Sequence, residues 1–334
     1  MKRIAINGLG RIGRLVLRHY IEEDPEDVKI VAANDLVSTA DLAYLLHYDS
    51  VHGQSPFSVE ATADSLVLGN HEIRVFASRD PGELPWRDLG VDVVFECTGR
   101  FTARADAARH LEAGARRVVI GAPSKDADIT LILGVNEGDF DPAHHAVISN
   151  ASCTTNSLVP PLKVLLDGFG IEMAMVTTIH AYTATQSVVD RPDKKKIRGR
   201  AAAVNLIPTS TGSDVATTRV LPELTGRLRA IAVRAPVADG ALTDITVLVS
   251  RPVTIEAVNA ALRKASATGP LVNILGYSEE DLVSSDIIGD VRSSIIHAQS
   301  TRVAGDRMVK VQAWYDNETG YARRMLDLAL QLPL

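Results

Sequence analysis

The chain has 334 residues, 46% apolar and 23% charged, with a formal net charge of −6. That length predicts two domains rather than one core, the composition excludes a disordered chain, and no run reaches the roughly 18 apolar residues of a membrane span. The acidic balance argues against nucleic acid as the main partner. The two cysteines, Cys97 and Cys153, make neither a disulfide framework nor a CxxC metal pair. "MKRIAINGLGRIGR" carries no apolar signal core, so the chain reads as cytoplasmic, with reduced thiols and no metal site.

In chain order, the first half alternates short β-like runs with helical patterns, as a parallel sheet with crossover helices requires. "RIAI" (3–6) predicts a strand, and Ile12, Leu15, Val16 and Ile21 repeat at helical spacing from Arg11 to about Glu22. "KIVAAND" (29–35) and "VDVVFECTG" (91–99) predict strands, "ADAARHLEAGA" (105–115) a helix, and "RRVVIGAPS" (116–124) and "HAVISN" (145–150) further strands. Beyond residue 150 a helix from about Thr154 to Leu166 leads into a long strand, "EMAMVTTIHAYT" (172–183). A polar loop of about 20 residues follows, long enough to point to function. "RAIAVRAPV" (229–237) and "LTDITVLVS" (242–250) predict an antiparallel sheet, "TIEAVNAALRKAS" (254–266) a helix, "MVKVQAWYDNE" (308–318) a strand, and "GYARRMLDLALQL" (320–332) a terminal helix.

"NGLGRIG" places Gly8, Gly10 and Gly13 in G-x-G-x-x-G spacing between a strand and an amphipathic helix. The first glycine permits the tight turn, the second lets backbone approach a pyrophosphate, and the third allows close helix–strand contact. The phosphates would then sit at a helix N-terminus, where N–H groups and the dipole favour anions. Asp35 stands at the end of the second strand, where an acid takes the ribose hydroxyls. The competing reading is a tight turn that binds nothing. Thr98 falls where such a sheet lines its crevice, while Cys97 reads as a core residue.

"SNASCTTNS" (149–157) sets Cys153 among Ser152, Thr154 and Thr155, residues suited to a helix start. Donors and dipole there stabilise a thiolate, so Cys153 is a candidate nucleophile; the alternative is ordinary packing. Of nine histidines, His180 differs by ending a strand just before the long loop, and is the candidate base. "RPDKKKIRGR" (191–200) is a basic run that by itself reads as a solvated loop.

"NGLGRIGR", "AND", "YDSVHG", "SNASCTTN", "HAYTATQ", "PTSTG" and "WYDNETGY", in this order, resemble phosphorylating glyceraldehyde-3-phosphate dehydrogenases over nearly the whole chain. The resemblance implies an α/β N-terminal Rossmann-type dinucleotide-binding domain over 1–150, to which a helix of about 318–334 returns. It also implies an α+β catalytic domain with a mainly antiparallel sheet over 151–317. Cys153 would attack the aldehyde with His180 as base and acid, and phosphate would split the resulting thioester. Ser152, Thr154, Thr183, Arg198, Thr211, Gly212 and Arg234 match positions that bind the substrate phosphate and the attacking phosphate. Gly8, Gly10, Arg11, Ile12, Gly13, Asp35, Arg79, Thr98, Gly121 and Asn317 match cofactor positions, with Asn317 on the nicotinamide amide. A homotetramer is implied, with the 183–204 loop reaching toward a neighbour's cofactor.

This sequence also departs from the family's pattern. Leu9 stands for the usual Phe, Ser157 for a frequent second cysteine, Gly121 lacks a hydroxyl, and "RAPVADGALTD" is an unusual version of its segment. Arg191 stands where NAD-specific members carry Leu, so a guanidinium could meet the 2′-phosphate of NADP, whereas Asp35 would repel it. NAD is the expected cofactor, with NADP or dual use as the open alternative. The rival functions are erythrose-4-phosphate dehydrogenase and a silent cofactor-binding regulatory or RNA-binding protein. Neither the direction of flux, glycolytic or gluconeogenic, nor regulation is legible.

Overall fold

The structure is a computed structural model that describes residues 1–333 and divides into two compact units. The first comprises residues 1–131, 138–151 and the chain from Ala322 onward; the second comprises 132–137 and 152–321.

The first unit opens with β1 (Lys2–Asn7), α1 (Arg11–Glu23), β2 (Val28–Asn34) and α2 (Thr39–His47), then β3 (Val59–Ala61), β4 (Ser65–Leu68) and β5 (His71–Phe76). It continues through β6 (Val93–Glu96), the single turns α3 (Arg104–Ala107) and α4 (Arg109–Glu112), β7 (Arg117–Ile120), β8 (Ile129–Thr130) and β9 (Val147–Ser149). The sheet order is β3-β4-β5-β2-β1-β6-β7-β9-β8, parallel throughout except where β3, β4 and β5 pair antiparallel. Every residue of "VVFE", "RVVI" and "VIS" is buried, because a parallel sheet is covered on both faces. The helix expected over 105–115 is broken at Ala108, where the ladder tightens to an i→i+3 bond from Leu111 N to Ala108 O. From β1 the chain moves to β2 on one side and later to β6 on the other. The C-terminal ends of these strands therefore part at a topological switch point, the place where an open α/β sheet binds ligands.

The second unit holds α5 (Cys153–Phe169), β10 (Ile171–Ala181), β11 (Ile207–Ser210), α6 (Ser213–Val220), β12 (Leu228–Ala235), β13 (Ala241–Val249) and α7 (Ile255–Ala267). It ends with β14 (Leu275–Ser278), β15 (Ser294–His297), β16 (Arg302–Ala304), β17 (Met308–Tyr315) and the start of α8 (Thr319–Gln331). Its sheet runs β11-β12-β10-β13-β17-β15-β14, with β16 on β17. The pairings are mainly antiparallel, but β12, expected in an antiparallel sheet, lies parallel to β10. Apolar alternation fixes which face a strand buries, not its direction. Along β10, Ala174, Val176, Thr178 and His180 turn inward while Met173 and Met175 face out.

Most of α8 clusters with the first unit, where Lys2 Nζ donates to the carbonyls of Ala329, Leu330 and Leu332. A cation on the last carbonyls closes a helix C-terminus electrostatically. No described helix is long and apolar enough to cross a membrane.

Candidate active site

At the switch point the first unit opens a cleft of about 370 Å³ lined by Asn7, Gly8, Gly10, Asn34, Asp35, Ser78, Arg79, Cys97 and Thr98, among others. The three glycines do different work. Gly8 has φ +94°, and a Cβ there would lie 2.8 Å from Thr98 N. At Gly13 a Cβ would lie 2.1 Å from Gly8 O, so α1 and the loop touch backbone to backbone. Gly10 meets nothing within 4 Å and caps α1 with no side-chain acceptor, leaving open space at a helix start. Asp35 holds the loop from below: Leu9 N donates to Oδ2 (2.7 Å) and Val37 N to Oδ1 (3.0 Å). Each oxygen keeps a second lone pair for a hydroxyl donor.

Several expected cofactor residues lie off the lining. Ile12 and Gly13 belong to α1 beneath the loop. Arg11 directs its guanidinium to Asp49, with Nη1–Oδ2 at 2.5 Å and Nη2–Oδ1 at 3.2 Å. Burial would raise the Asp49 carboxyl, but Arg11 and the N–H groups of His52 and Val51 outweigh it and hold it at about 2. Gly121 packs against α8, where a Cβ would stand 3.1 Å from Met325 Sδ, so the missing hydroxyl is explained by space. Cys97 lies one residue beyond β6 and lines the cleft rather than the core, and burial pushes its thiol far up. Leu9 is fully buried, apolar for apolar.

In the second unit Ser152 caps α5, its Oγ accepting from Thr155 N (3.1 Å), which places Cys153 at the first helical position. β10 brings His180 alongside, with Cys153 Sγ 3.4 Å from Nε2. His180 Nδ1 and Arg234 Nη1 both reach Ala181 O, at 2.7 Å each. Arg234 Nη1, which can only donate, also stands 2.6 Å from His180 Nδ1, so a carbonyl and a guanidinium crowd the same ring nitrogen while Nε2 faces sulfur. Burial pushes the Cys153 thiol up to about 11, although Arg234 and the Thr154 N–H pull it down. Burial, with the adjacent charge of Arg234, pushes His180 down to about 3. Burial thus favours the neutral form of both groups.

The Thr154 hydroxyl is buried with Tyr315 Oη (3.0 Å), which also meets Thr178 Oγ1 (2.8 Å), so this expected phosphate ligand is a strut under α5. Ser157 meets Thr243 (3.2 Å) in the same buried layer. Two cradles stand open. Thr183 pairs with Thr185 (2.9 Å), and Arg198 donates to Thr185 (3.1 Å) and Thr209 (3.3 Å). Thr211 accepts from Ser213 N (3.2 Å) beside Gly212, which starts α6 with open space and no side-chain cap. Neither Arg198 nor Arg234 makes an ion pair among the described residues, yet the charge of Arg198 is felt at both Arg234 and His180. Two cations without a carboxylate leave room for an anion.

Asn317 is buried, and its side-chain carbonyl has no partner among the described residues. Arg191 donates Nε to Ser187 Oγ (2.8 Å) within the 182–206 loop, and its N–H to Gly199 O (2.8 Å). In the unusual segment, Asp239 lies buried beside Asp316, and burial with that second carboxyl pushes it up to about 9. Thr185, Thr209 and Tyr315 were missed, because hydroxyls in loops and strand ends carry no spacing signal.

Residues 2–104 match the family model "Glyceraldehyde 3-phosphate dehydrogenase, NAD binding domain", and residues 152–317 match its "C-terminal domain" counterpart. The chain is 52% identical over 329 residues to glyceraldehyde-3-phosphate dehydrogenase 1 of Bacillus cereus, covering 98% of each chain. It is 52% identical to the enzyme of Geobacillus stearothermophilus, covering 98% of this chain and 97% of that one. Against the Streptomyces coelicolor enzyme identity is 48%, with the same coverage. The chain belongs to the glyceraldehyde-3-phosphate dehydrogenase family.

Proposed function

We propose that the protein is a phosphorylating glyceraldehyde-3-phosphate dehydrogenase that uses NAD. The observation that carries this reading is the approach of Cys153 Sγ to His180 Nε2 at the start of α5, beside two guanidinium groups that make no ion pair among the described residues.

The first unit's cleft suits a dinucleotide. Open space above Gly10 fits a pyrophosphate, Asp35 offers lone pairs to ribose hydroxyls, and Arg79 and Thr98 flank them. The unpartnered carbonyl of Asn317 suits a carboxamide N–H. Bound NAD supplies the hydride acceptor for the oxidation step.

The chain's own groups do the rest. As Cys153 Sγ attacks the aldehyde carbon, the thiol proton passes to His180 Nε2 and from there to the nascent oxyanion, giving a hemithioacetal. His180 takes the hydroxyl proton back as that carbon is oxidised, leaving a thioester on sulfur. A phosphate oxygen then attacks the thioester carbon, the C–S bond breaks, and the sulfur regains its proton from His180. Arg198 with Thr183, Arg234, and Thr211 with Gly212 are assigned to the two phosphates, and Ser152 serves as the cap that seats Cys153.

Asp35 favours NAD over NADP, since a carboxylate repels a 2′-phosphate. Arg191 is tethered to Ser187 and acts on the loop's shape; an unchanged NAD/NADP ratio in Arg191→Leu is the expected outcome. A homotetramer is supported by the outer face of the second sheet, where Met173, Met175, Ile231 and Met308 are more than half exposed. Exposed apolar side chains gathered on one sheet face, beside the Asp244–Lys310 pair, suit contact with a partner copy. A cytoplasmic location is supported by the two free cysteines, Cys97 and Cys153. An intact Cys–His pair speaks against a silent binding module, and no feature of the site favours erythrose 4-phosphate. Mixing enzyme, NAD and glyceraldehyde 3-phosphate without phosphate tests the reading. A stoichiometric NADH burst with an acyl mass on Cys153 is expected; a burst with no adduct there contradicts it.

A further inference from the structure

Beneath the cleft lies a buried polar network that the chemistry above does not use. Glu96, at the end of β6, and His110, in α4, are fully buried, as are Asn7 and Trp86. Hydrogen-bond directions can be fixed one after another from a single backbone donor. Ser78 N–H donates to Asn34 Oδ1 (2.8 Å), so Asn34 Nδ2 must be the group that donates to Asn7 Oδ1 (2.8 Å). Asn7 Nδ2 therefore points the other way and donates to Glu96 Oε2 at 2.5 Å. On the far side the indole of Trp86, which can only donate, reaches His110 Nδ1 at 2.9 Å. Nδ1 is thus an acceptor, the ring proton sits on Nε2, and Nε2–H donates to the same Oε2 at 3.2 Å. The other oxygen, Oε1, accepts from Thr98 N (2.8 Å) and from the Thr98 hydroxyl.

All four acceptor positions of the Glu96 carboxylate are filled, three of them by N–H donors of fixed direction and one by the Thr98 hydroxyl. Asn7, Asn34, Ser78 and Thr98 each line the cleft, and they come from β1, β2, the chain after β5 and the chain after β6. Thr98 N is also the atom that a Cβ at Gly8 would strike, so the position of Thr98 sets the shape of the glycine turn.

We propose that Glu96, its orientation locked by the Trp86–His110 relay, is a positioning residue that sets the geometry of the dinucleotide cleft. It touches no ligand itself and acts through Thr98 and Asn7. This rests on reading the cleft as the NAD site. Replacing the carboxylate by an amide turns one acceptor into a donor. Toward Oε2 it would face two N–H groups; toward Oε1 it faces Thr98 N–H, while the hydroxyl can reverse. The amide therefore turns toward Thr98 and pushes a lining residue out of place.

Calorimetry of NAD binding to the intact protein, with thermal unfolding and steady-state kinetics, tests the proposal. Glu96→Gln is expected to raise the NAD Kd and KM about tenfold while kcat and the Cys153 alkylation rate stay within about twofold. Trp86→Phe keeps an aromatic ring in the core, with a small cavity, but frees His110 to move its proton to Nδ1. A rise of about threefold in the same constants is expected. This variant decides the matter should Glu96→Gln fail to fold. A merely structural role would lower the unfolding temperature and leave Kd unchanged, and that result overturns the proposal. Wild-type protein that binds no NAD would overturn the cofactor reading and the proposal with it. Wild-type binding with unchanged variants overturns the proposal alone.

Discussion

In the dinucleotide cleft the polar side chains satisfy one another: Asn7, Asn34, Ser78, Thr98 and Glu96 form a closed set in which each donor has its acceptor. Around Cys153 the opposite holds. Arg234 Nε is buried with no partner among the described residues, and neither Arg234 nor Arg198 pairs with a carboxylate among them. A cleft that must present backbone and glycine space to a large ligand benefits from a rigid, internally satisfied floor. A centre that must accept anions and shuttle a proton keeps unmet hydrogen-bonding capacity for the reactants. The two regions also differ in burial: the parallel sheet is covered on both faces, while the second sheet leaves methionines bare.

If this contrast holds, damage to the two regions should separate. Cys153→Ala is expected to reduce kcat at least about 10⁴-fold, and His180→Asn about 10²- to 10⁴-fold, with the NAD Kd of both within about twofold by calorimetry. A parallel loss of NAD affinity would break the comparison. On the other side, Gly10→Ala puts a methyl into open space and is expected to leave the unfolding temperature unchanged while weakening NAD binding at least about tenfold. Gly8→Ala forces φ +94° on an L-residue and drives a Cβ onto Thr98, so it should lose stability as well, by about 1–3 kcal/mol.

Arg234→Gln sharpens the electrostatic half of the contrast. The guanidinium lowers the thiol from where burial alone would set it, so its removal raises that pKa further and reduces the thiolate fraction at any fixed pH. Iodoacetamide alkylation of Cys153 should slow by up to about tenfold, one pKa unit being a factor of ten; an unchanged rate would remove Arg234 from the account. A separate effect on stability alone concerns Arg11–Asp49. With its folded pKa depressed to about 2, Asp49 contributes stability that is present above about pH 4 and lost as pH falls toward 2. Asp49→Asn should cost about 2 kcal/mol at neutral pH and little at pH 2, as read from denaturant melts at both.

The sequence made legible what is local. Gly8, Gly10 and Gly13 follow from spacing between a strand and a helix, and the Ser152 cap with Cys153 at the helix start follows from residue type alone. That His180 meets Cys153 depends on β10 passing beside α5, which no periodicity encodes; there the family resemblance supplied the pairing. The Tyr315 bridge between Thr154 and Thr178 spans more than a hundred residues and was invisible, as was the depth of burial that pushes the thiol up. The parallel pairing of β12 with β10 escaped because alternation looks the same in either direction. The β3–β4 hairpin, with strands of three and four residues, is too short for pattern to detect.

The central claim is that the Cys153 acyl group leaves to phosphate. The most direct test is the steady-state rate of NAD reduction with glyceraldehyde 3-phosphate as the phosphate concentration is varied, with NADP in parallel. The account predicts a rate that rises from near zero and saturates with phosphate, and a higher kcat/KM for NAD than for NADP. A rate indifferent to phosphate would contradict it, since water rather than phosphate would then be releasing the acyl group.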